Sequence, residues 1–209
     1  KTNVFLRICR ISHYYKKSII QAIDLINDLT DKNYNVCLLI IGNVQDADVY
    51  GELVKRVDCI RNIYFVTDDS FTLNAKELID ISNFVIGTGR GFMEACSRGK
   101  IMLVPCANSN YPVLIDSKNF EQSFNYNFSE RTEFSVDVVI NNLNNIVNLL
   151  NNQKDYIFES NNSKNRFNDY FSIAKGVHLY IDVYESLNYI KYSNIDLLFN
   201  CLSRASLVI

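Results

Sequence analysis

The chain has no tryptophan, and among its 209 residues are only seven glycines, two prolines and two histidines. No apolar run is long enough to cross a bilayer as a helix, and no stretch resembles a signal peptide. A surplus of positive charge is also missing. The net charge of -2 argues against a nucleic-acid partner held mainly through phosphate contacts. The six cysteines (Cys9, Cys37, Cys59, Cys96, Cys106 and Cys201) form no C-x-x-C pair. They are expected to be free thiols of a reducing cytoplasm, not a disulfide framework or a zinc site. Neither G-x-G-x-x-G nor G-x-x-x-x-G-K-[ST] occurs, so neither a dinucleotide fingerprint nor a P-loop is indicated. The missing tryptophan accompanies abundant Asn, Ile, Lys and Tyr, and reads as genome composition without functional meaning.

What is present is apolar patterning, with 48% hydrophobic residues. "NVFLRICRI" and "NVCLLIIGN" read as strands buried on both faces, and "NIYFVT", "NFVIG" and "KIMLVPC" as further strands. Between them, "KKSIIQAIDLINDL", "DADVYGELVKRVD", "LNAKELIDI" and "GFMEACSRG" have helical spacing. This alternation predicts an α/β fold, a Rossmann-like doubly wound parallel sheet. Residues 107 to 135 are expected to form a short strand and loops, and "SVDVVINNLNNIVNLLNN" a helix. The polar "NNQKDYIFESNNSKN" reads as a linker. A helical region follows, from Phe167 through Tyr184, with another amphipathic helix over residues 189 to 209. The expected division is a nucleotide-binding domain over 1–150 and a helical extension over 151–209. The chain opens with Lys1 and enters a strand almost at once, as a piece of a longer protein would.

Three of the seven glycines, Gly87, Gly89 and Gly91, fall within five positions around Arg90. They lie between a strand and a helix, at the carboxyl edge of the expected sheet, where open α/β folds bind ligands. Glycine there permits positive φ and close approach of a ligand to the backbone. The helix N-terminus would attract an anion, and Arg90 would add a charge-assisted contact.

The run "VIGTGRGFMEACSRGKIMLVP" resembles the donor-binding segment of GT-B glycosyltransferases, especially retaining ones related to glycogen and sucrose synthases. "ICRISHYYKKSIIQAIDLI" is similar to their arginine-to-lysine segment after the first strand, and "NVCLLIIGN" to their second strand. The resemblance covers about residues 3 to 106. It implies that Arg10 and either Lys16 or Lys17 hold the diphosphate of a UDP- or GDP-sugar. It also implies that Glu94 binds the ribose, and that Gly87, Gly89, Arg90, Gly91 and Phe92 line the donor. No metal or cofactor is implied for the step. The acceptor would be a saccharide or glycolipid, held by an N-terminal domain outside this chain, in the cytoplasm or at the inner membrane face.

One position departs from the family pattern. Many relatives carry a sugar-contacting Glu eight residues before the second, and Ile86 stands there. A non-catalytic nucleotide-binding or interaction domain of the same type is therefore the alternative reading. A metal site at Asp46-Ala47-Asp48, as in GT-A enzymes, competes with the capping of a helix N-terminus by the same residues. His13 is placed near the ligand or in solvent, and His178 within the last helix.

Overall fold

The computed structural model describes residues 2–186. A six-stranded sheet is formed by β1 (Asn3–Ile8), β2 (Val36–Ile41), β3 (Ile63–Val66), β4 (Phe84–Ile86), β5 (Ile101–Val104) and β6 (Val113–Leu114). Its spatial order is β3-β2-β1-β4-β5-β6. The first five strands in this order are parallel, and β6 closes one edge antiparallel to β5. The alternation read from the sequence therefore yields the expected doubly wound architecture. The strand order reverses between β1 and β4, the switch point at which such sheets bind ligands.

The helices are α1 (Lys16–Asp31), α2 (Ala47–Val57), the single turn α3 (Asp69–Thr72), α4 (Gly89–Ser97), α5 (Phe120–Asn125), α6 (Val136–Asn151), α7 (Gln153–Arg166) and α8 (Ile173–Ser186). Side chains alternate across the sheet with period two. Phe5, Leu38, Ile40, Phe84, Ile86, Ile101 and Leu103 face a core shared with α1, α2 and α6. Leu6, Ile41, Val85, Met102 and Val104 face a second core, built on Phe92, Ala95 and Cys96 of α4 with Phe120, Phe128 and Phe134. Helix α1 buries Ile19, Ala22, Ile23, Leu25, Ile26 and Leu29, one continuous stripe. It stops where Asn33 takes φ 64° and the Tyr34 N–H returns to the Leu29 carbonyl, an end that suits Asn.

Three local expectations change. "LNAKELIDI" contains a 3-10 helix over Ala75–Ile81, not an α-helix. Within 107–135, Phe120–Asn125 adds a helix where loops were expected. The polar stretch after α6 is helix α7, not a linker. Asn152 caps it by accepting from the Lys154 and Asp155 N–H groups. It docks mainly through polar contacts, which is why its composition concealed it. Ser160 Oγ donates to the Gly99 carbonyl at 2.6 Å, and Arg166 pairs with Glu159 at 2.6 Å.

Among the described residues, 2–171 form one compact unit and 172–186 belong to a second. Within the second unit, α8 exposes Val177, Leu179, Tyr180, Ile181, Val183 and Tyr184 on several faces, and His178 is exposed as well. The helix expected over 189–209, and Cys201 with it, lie outside the described residues. Cys9, Cys37, Cys59, Cys96 and Cys106 are free thiols; Cys96 and Cys106 are buried and Cys59 is exposed. Burial pushes the Cys96 thiol up to about 12. None of the described helices is long and apolar enough to cross a membrane.

Gly42 sets how closely the ends of β1 and β2 meet. A Cβ there would lie 1.7 Å from the Cys9 carbonyl oxygen, a backbone atom that cannot step aside. Gly42→Ala should therefore cost about 3 kcal/mol or more, at the upper end of overpacking effects. Thermal denaturation should show a fall in Tm of about 6 °C or more.

Candidate functional site

The glycine turn sits where β4 meets α4, and its three glycines answer three different demands. At Gly87 a Cβ would press on the Phe92 backbone, 3.0 Å from its N and 3.1 Å from its Cα, and lie 3.2 Å from Met102 Cε. Glycine there lets strand and helix touch. Gly89 has φ +47°, and its N–H donates to the Asn127 carbonyl at 3.0 Å. Around Gly91 nothing lies within 4 Å of a built Cβ, so its missing side chain leaves open space. The helix begins at Gly89, with Thr88 as an N-cap whose side chain makes no capping bond.

The turn is held from the far side by a strained loop. Asn127 and Phe128 both take positive φ, 52° and 54°, which is rare for a bulky residue. Phe128 is kept there by stacking on Phe92, with ring centroids 3.7 Å apart and planes 4° from parallel, and by its N–H donating to the Ser123 carbonyl.

Three hollows run along this edge of the sheet. A cavity of about 310 Å³ is lined by Ile8, Ala75, Ile79 and Val85 below, with Lys76, Arg90, Gly91 and Glu94 around it. A second, also about 310 Å³, shares Ile8, Thr72 and Ala75 with the first and adds Cys9, Arg10, Tyr15, Gly42 and Thr88. The third, about 500 Å³, shares Arg10, Tyr15 and Thr88 with the second and adds Gln45, Gly89, Asn127, Glu130 and Arg131. Shared lining residues join them into one groove across the switch point.

Arg10, Glu94, Gly87, Gly89, Arg90 and Gly91 all line this groove. Arg10 is exposed, with its guanidinium carbon 5.9 Å from the centre of the Tyr15 ring. Glu94 Oε1 accepts from Arg90 Nε at 2.8 Å. Phe92 does not line it: its ring is fully buried in the core. Three backbone N–H groups of the residues expected to line the donor are engaged within the fold. Besides Gly89, both Gly91 and Phe92 donate to the Thr88 carbonyl.

Lys16 and Lys17 are placed elsewhere. Together with His13 they border a separate hollow of about 400 Å³ beside Gln21, Asp24 and Ser109. Lys16 is ion-paired with Glu52, and Lys17 Nζ donates to the Ala107 carbonyl at 2.8 Å. Ile86 is inside β4 and fully buried, so that position faces core and not groove. Asp46 accepts from the Val49 N–H at 3.1 Å and caps α2, which gives the first carboxylate of Asp-x-Asp a structural task. Asp68 caps α3 in the same way, through the Ser70 N–H, and the Ser70 hydroxyl, with that N–H, holds its carboxyl below its ordinary value.

Sequence reading passed over several groove residues, among them Tyr15, Thr88, Asn127 and Glu130. It also passed over Arg7, buried just beneath the groove. Only Arg7 had a legible signal, a charge in the middle of the apolar run "NVFLRICRI". The others depend on loop geometry.

No protein-family model and no curated protein matches the sequence. Solved structures do resemble it in fold. A glycosyltransferase from Rickettsia africae superposes with TM-score 0.59 at 12% identity, over 92% of this chain and 49% of that one. Anabaena HepE, solved with UDP and glucose, gives TM-score 0.57 at 16% identity, over 89% of this chain and 49% of its own. The C-terminal domain of a group 1 glycosyl transferase, LpcC, from Francisella tularensis gives 0.53 at 14% identity, over 83% of this chain and 87% of that domain. At such identities the likeness is one of fold: the sheet and its helices are those of one Rossmann-like half of a GT-B protein. The chain spans about half the length of the first two structures.

The Arg90–Glu94 pair joins side chains that are 85% and 32% exposed, so it is screened by solvent. Glu94→Gln should change stability by about 0.5 kcal/mol or less. The Tm measured by differential scanning fluorimetry should stay within about 2 °C of wild type. A larger fall would mean that Glu94 serves the fold.

Proposed function

We propose that this chain is the donor-binding half of a GT-B glycosyltransferase, which moves a sugar from a UDP- or GDP-sugar to a saccharide or glycolipid acceptor. The observation that carries this reading is the groove, with a carboxylate, Glu94, at one end and, farther along, a cation, Arg10, that has no ion pair among the described residues. The first hollow suits a nucleoside. Its floor of Ile8, Ala75, Ile79 and Val85 offers apolar surface to a base, and Glu94 can accept from both ribose hydroxyls. Arg10 then lies where a diphosphate would continue, and the 500 Å³ hollow beyond it leaves room for the sugar.

In the transfer step, negative charge grows on the departing nucleoside diphosphate as its bond to the anomeric carbon breaks. Arg10 stabilises that charge, and losing one such group typically costs about 2.7–4 kcal/mol of barrier. Lys16 or Lys17 assists only by exchanging its present partner, Glu52 or the Ala107 carbonyl, for the phosphate. We place the reaction in the cytoplasm or at the inner membrane face, and assign the acceptor to a further N-terminal domain, as the half-length match to the neighbours suggests. A second reading, a nucleotide-binding domain without catalysis, draws on Ile86, where many relatives have a carboxylate and this chain has a core residue.

Glu94→Gln should weaken UDP or GDP binding about tenfold or more, the loss expected when hydrogen bonds to a charged group are removed. EDTA should leave wild-type affinity unchanged, because no part of the proposed site uses a metal. An affinity that collapses in EDTA and returns with Mn²⁺ would transfer the function to Asp46 and Asp48. In assays with radiolabelled nucleotide-sugars and extract acceptors, this chain should bind donor without turnover. The positioning lost with the closed cleft is worth about 7–11 kcal/mol. Transfer at the rate of a longer parent chain would refute the half-enzyme reading.

A further inference from the structure

Two arginines are buried in the described fold, and only one has a counter-charge. Arg166 is 8% exposed and bonded to the Glu159 carboxylate at 2.6 Å. Arg7 is 1% exposed and has no carboxylate within ion-pair reach among the described residues. Its Nη1 donates to the Ile86 carbonyl and its Nη2 to Ser18 Oγ, both at 3.0 Å, and its Nε is buried without a partner. Two neutral oxygens and one unmet donor are poor compensation for a cation taken out of water. The location makes it worse, because Ser18 lies in the first turn of α1, the positive end of a 16-residue helix. The Cys9 thiol beside it supplies no negative charge. Burial pushes that thiol up, the pull of Arg7 in the other direction does not outweigh it, and the Glu130 carboxylate, which lines the groove with Arg10 but forms no ion pair with Arg7, adds to the rise.

The missing charge has a place from which to come. The guanidinium carbon of Arg7 lies 5.9 Å from the centre of the Tyr15 ring, as does that of Arg10. Tyr15 and Cys9 line the groove. Arg7 is therefore one side chain below the surface on which Arg10 stands. We propose that Arg7 is a buried positioning charge for the ligand's phosphate groups, its field completed by an anion bound above Tyr15 and Arg10. The choice of a diphosphate as that anion rests on the nucleotide-sugar reading; the need for an anion rests on Arg7 itself.

The test uses Arg7→Met, which keeps bulk and removes charge, and Arg7→Lys, which keeps charge and removes the planar fork. Binding of inorganic pyrophosphate and of UDP and GDP is measured by calorimetry, and the Tm of each free protein is recorded. Arg7→Met should weaken pyrophosphate and nucleotide alike by about tenfold or more, as expected for a charge acting through a partly buried medium. Its ligand-free Tm should equal or exceed that of wild type, because an uncompensated buried charge has gone. Arg7→Lys should stay within about threefold of wild-type affinity. Wild-type pyrophosphate affinity in the Met variant overturns the proposal. So does a Tm that falls in both variants, which would make Arg7 a structural tie between α1 and β4. If wild type binds pyrophosphate but neither nucleotide, the nucleotide-sugar reading fails and the role of Arg7 stands. If it binds none of the three, both fall.

Discussion

Phe92 is the point at which the fold and the groove are fixed to each other. Its backbone packs against Gly87 so closely that a Cβ there, 3.0 Å from the Phe92 nitrogen, would press strand and helix apart, which ties the end of β4 to the start of α4. Its ring stacks on Phe128 and holds that residue in a conformation it would not adopt alone. Phe128 in turn keeps Asn127 against Gly89. A single buried aromatic thus determines the shape of the turn and the position of the loop that walls the far side of the groove. Phe120 and Phe171 close around the same two rings, so the strain is carried by a cluster and not by one contact.

The charges at the sheet edge are arranged unevenly. Arg90 and Glu94 neutralise each other at the end of the groove lined by Ile79 and Val85. Toward the other end Arg10 has no ion pair among the described residues and Arg7 lies buried beneath it, while Lys16 and Lys17 are engaged in a neighbouring hollow. An incoming diphosphate would meet a cation already free, with no ion pair to break first. A side chain held by a partner must give up that partner before it serves a ligand, and that lowers its net contribution.

How much of this was legible depended on the physics behind each feature. The strands and α1 were readable because burial on both faces of a parallel sheet writes continuous runs of Val, Ile and Leu into the chain. The glycine turn stood out because glycine is scarce elsewhere, and the family resemblance pointed to Arg10 and Glu94 at the same edge. Helix α7 was hidden because it docks through Ser160, Arg166 and Glu159, and periodicity counts only apolar residues. The lysines were expected beside Arg10 because the family resemblance implied it, yet partners on α2 and at Ala107 direct their side chains elsewhere. Thr88, Asn127 and Glu130 meet Arg10 only through three-dimensional closure, which leaves no local trace.

The crossing from β3 at one edge to β4 beside β1 has an evolutionary consequence. Its closing end is secured by Asn83, whose side-chain oxygen accepts from the Val4 N–H at 2.9 Å and whose own N–H donates to the Val4 carbonyl at 2.8 Å. The segment in between, with α3 and the 3-10 helix, supplies Thr72, Leu73, Ala75, Lys76 and Ile79 to one wall of the groove. Doubling the length of such a crossing costs only about 0.6 kcal/mol of closure entropy. That wall can therefore be lengthened, shortened or rewritten by mutation while the sheet and the glycine turn stay as they are. Lineages carrying this fold could change what the groove selects without first having to reinvent the scaffold.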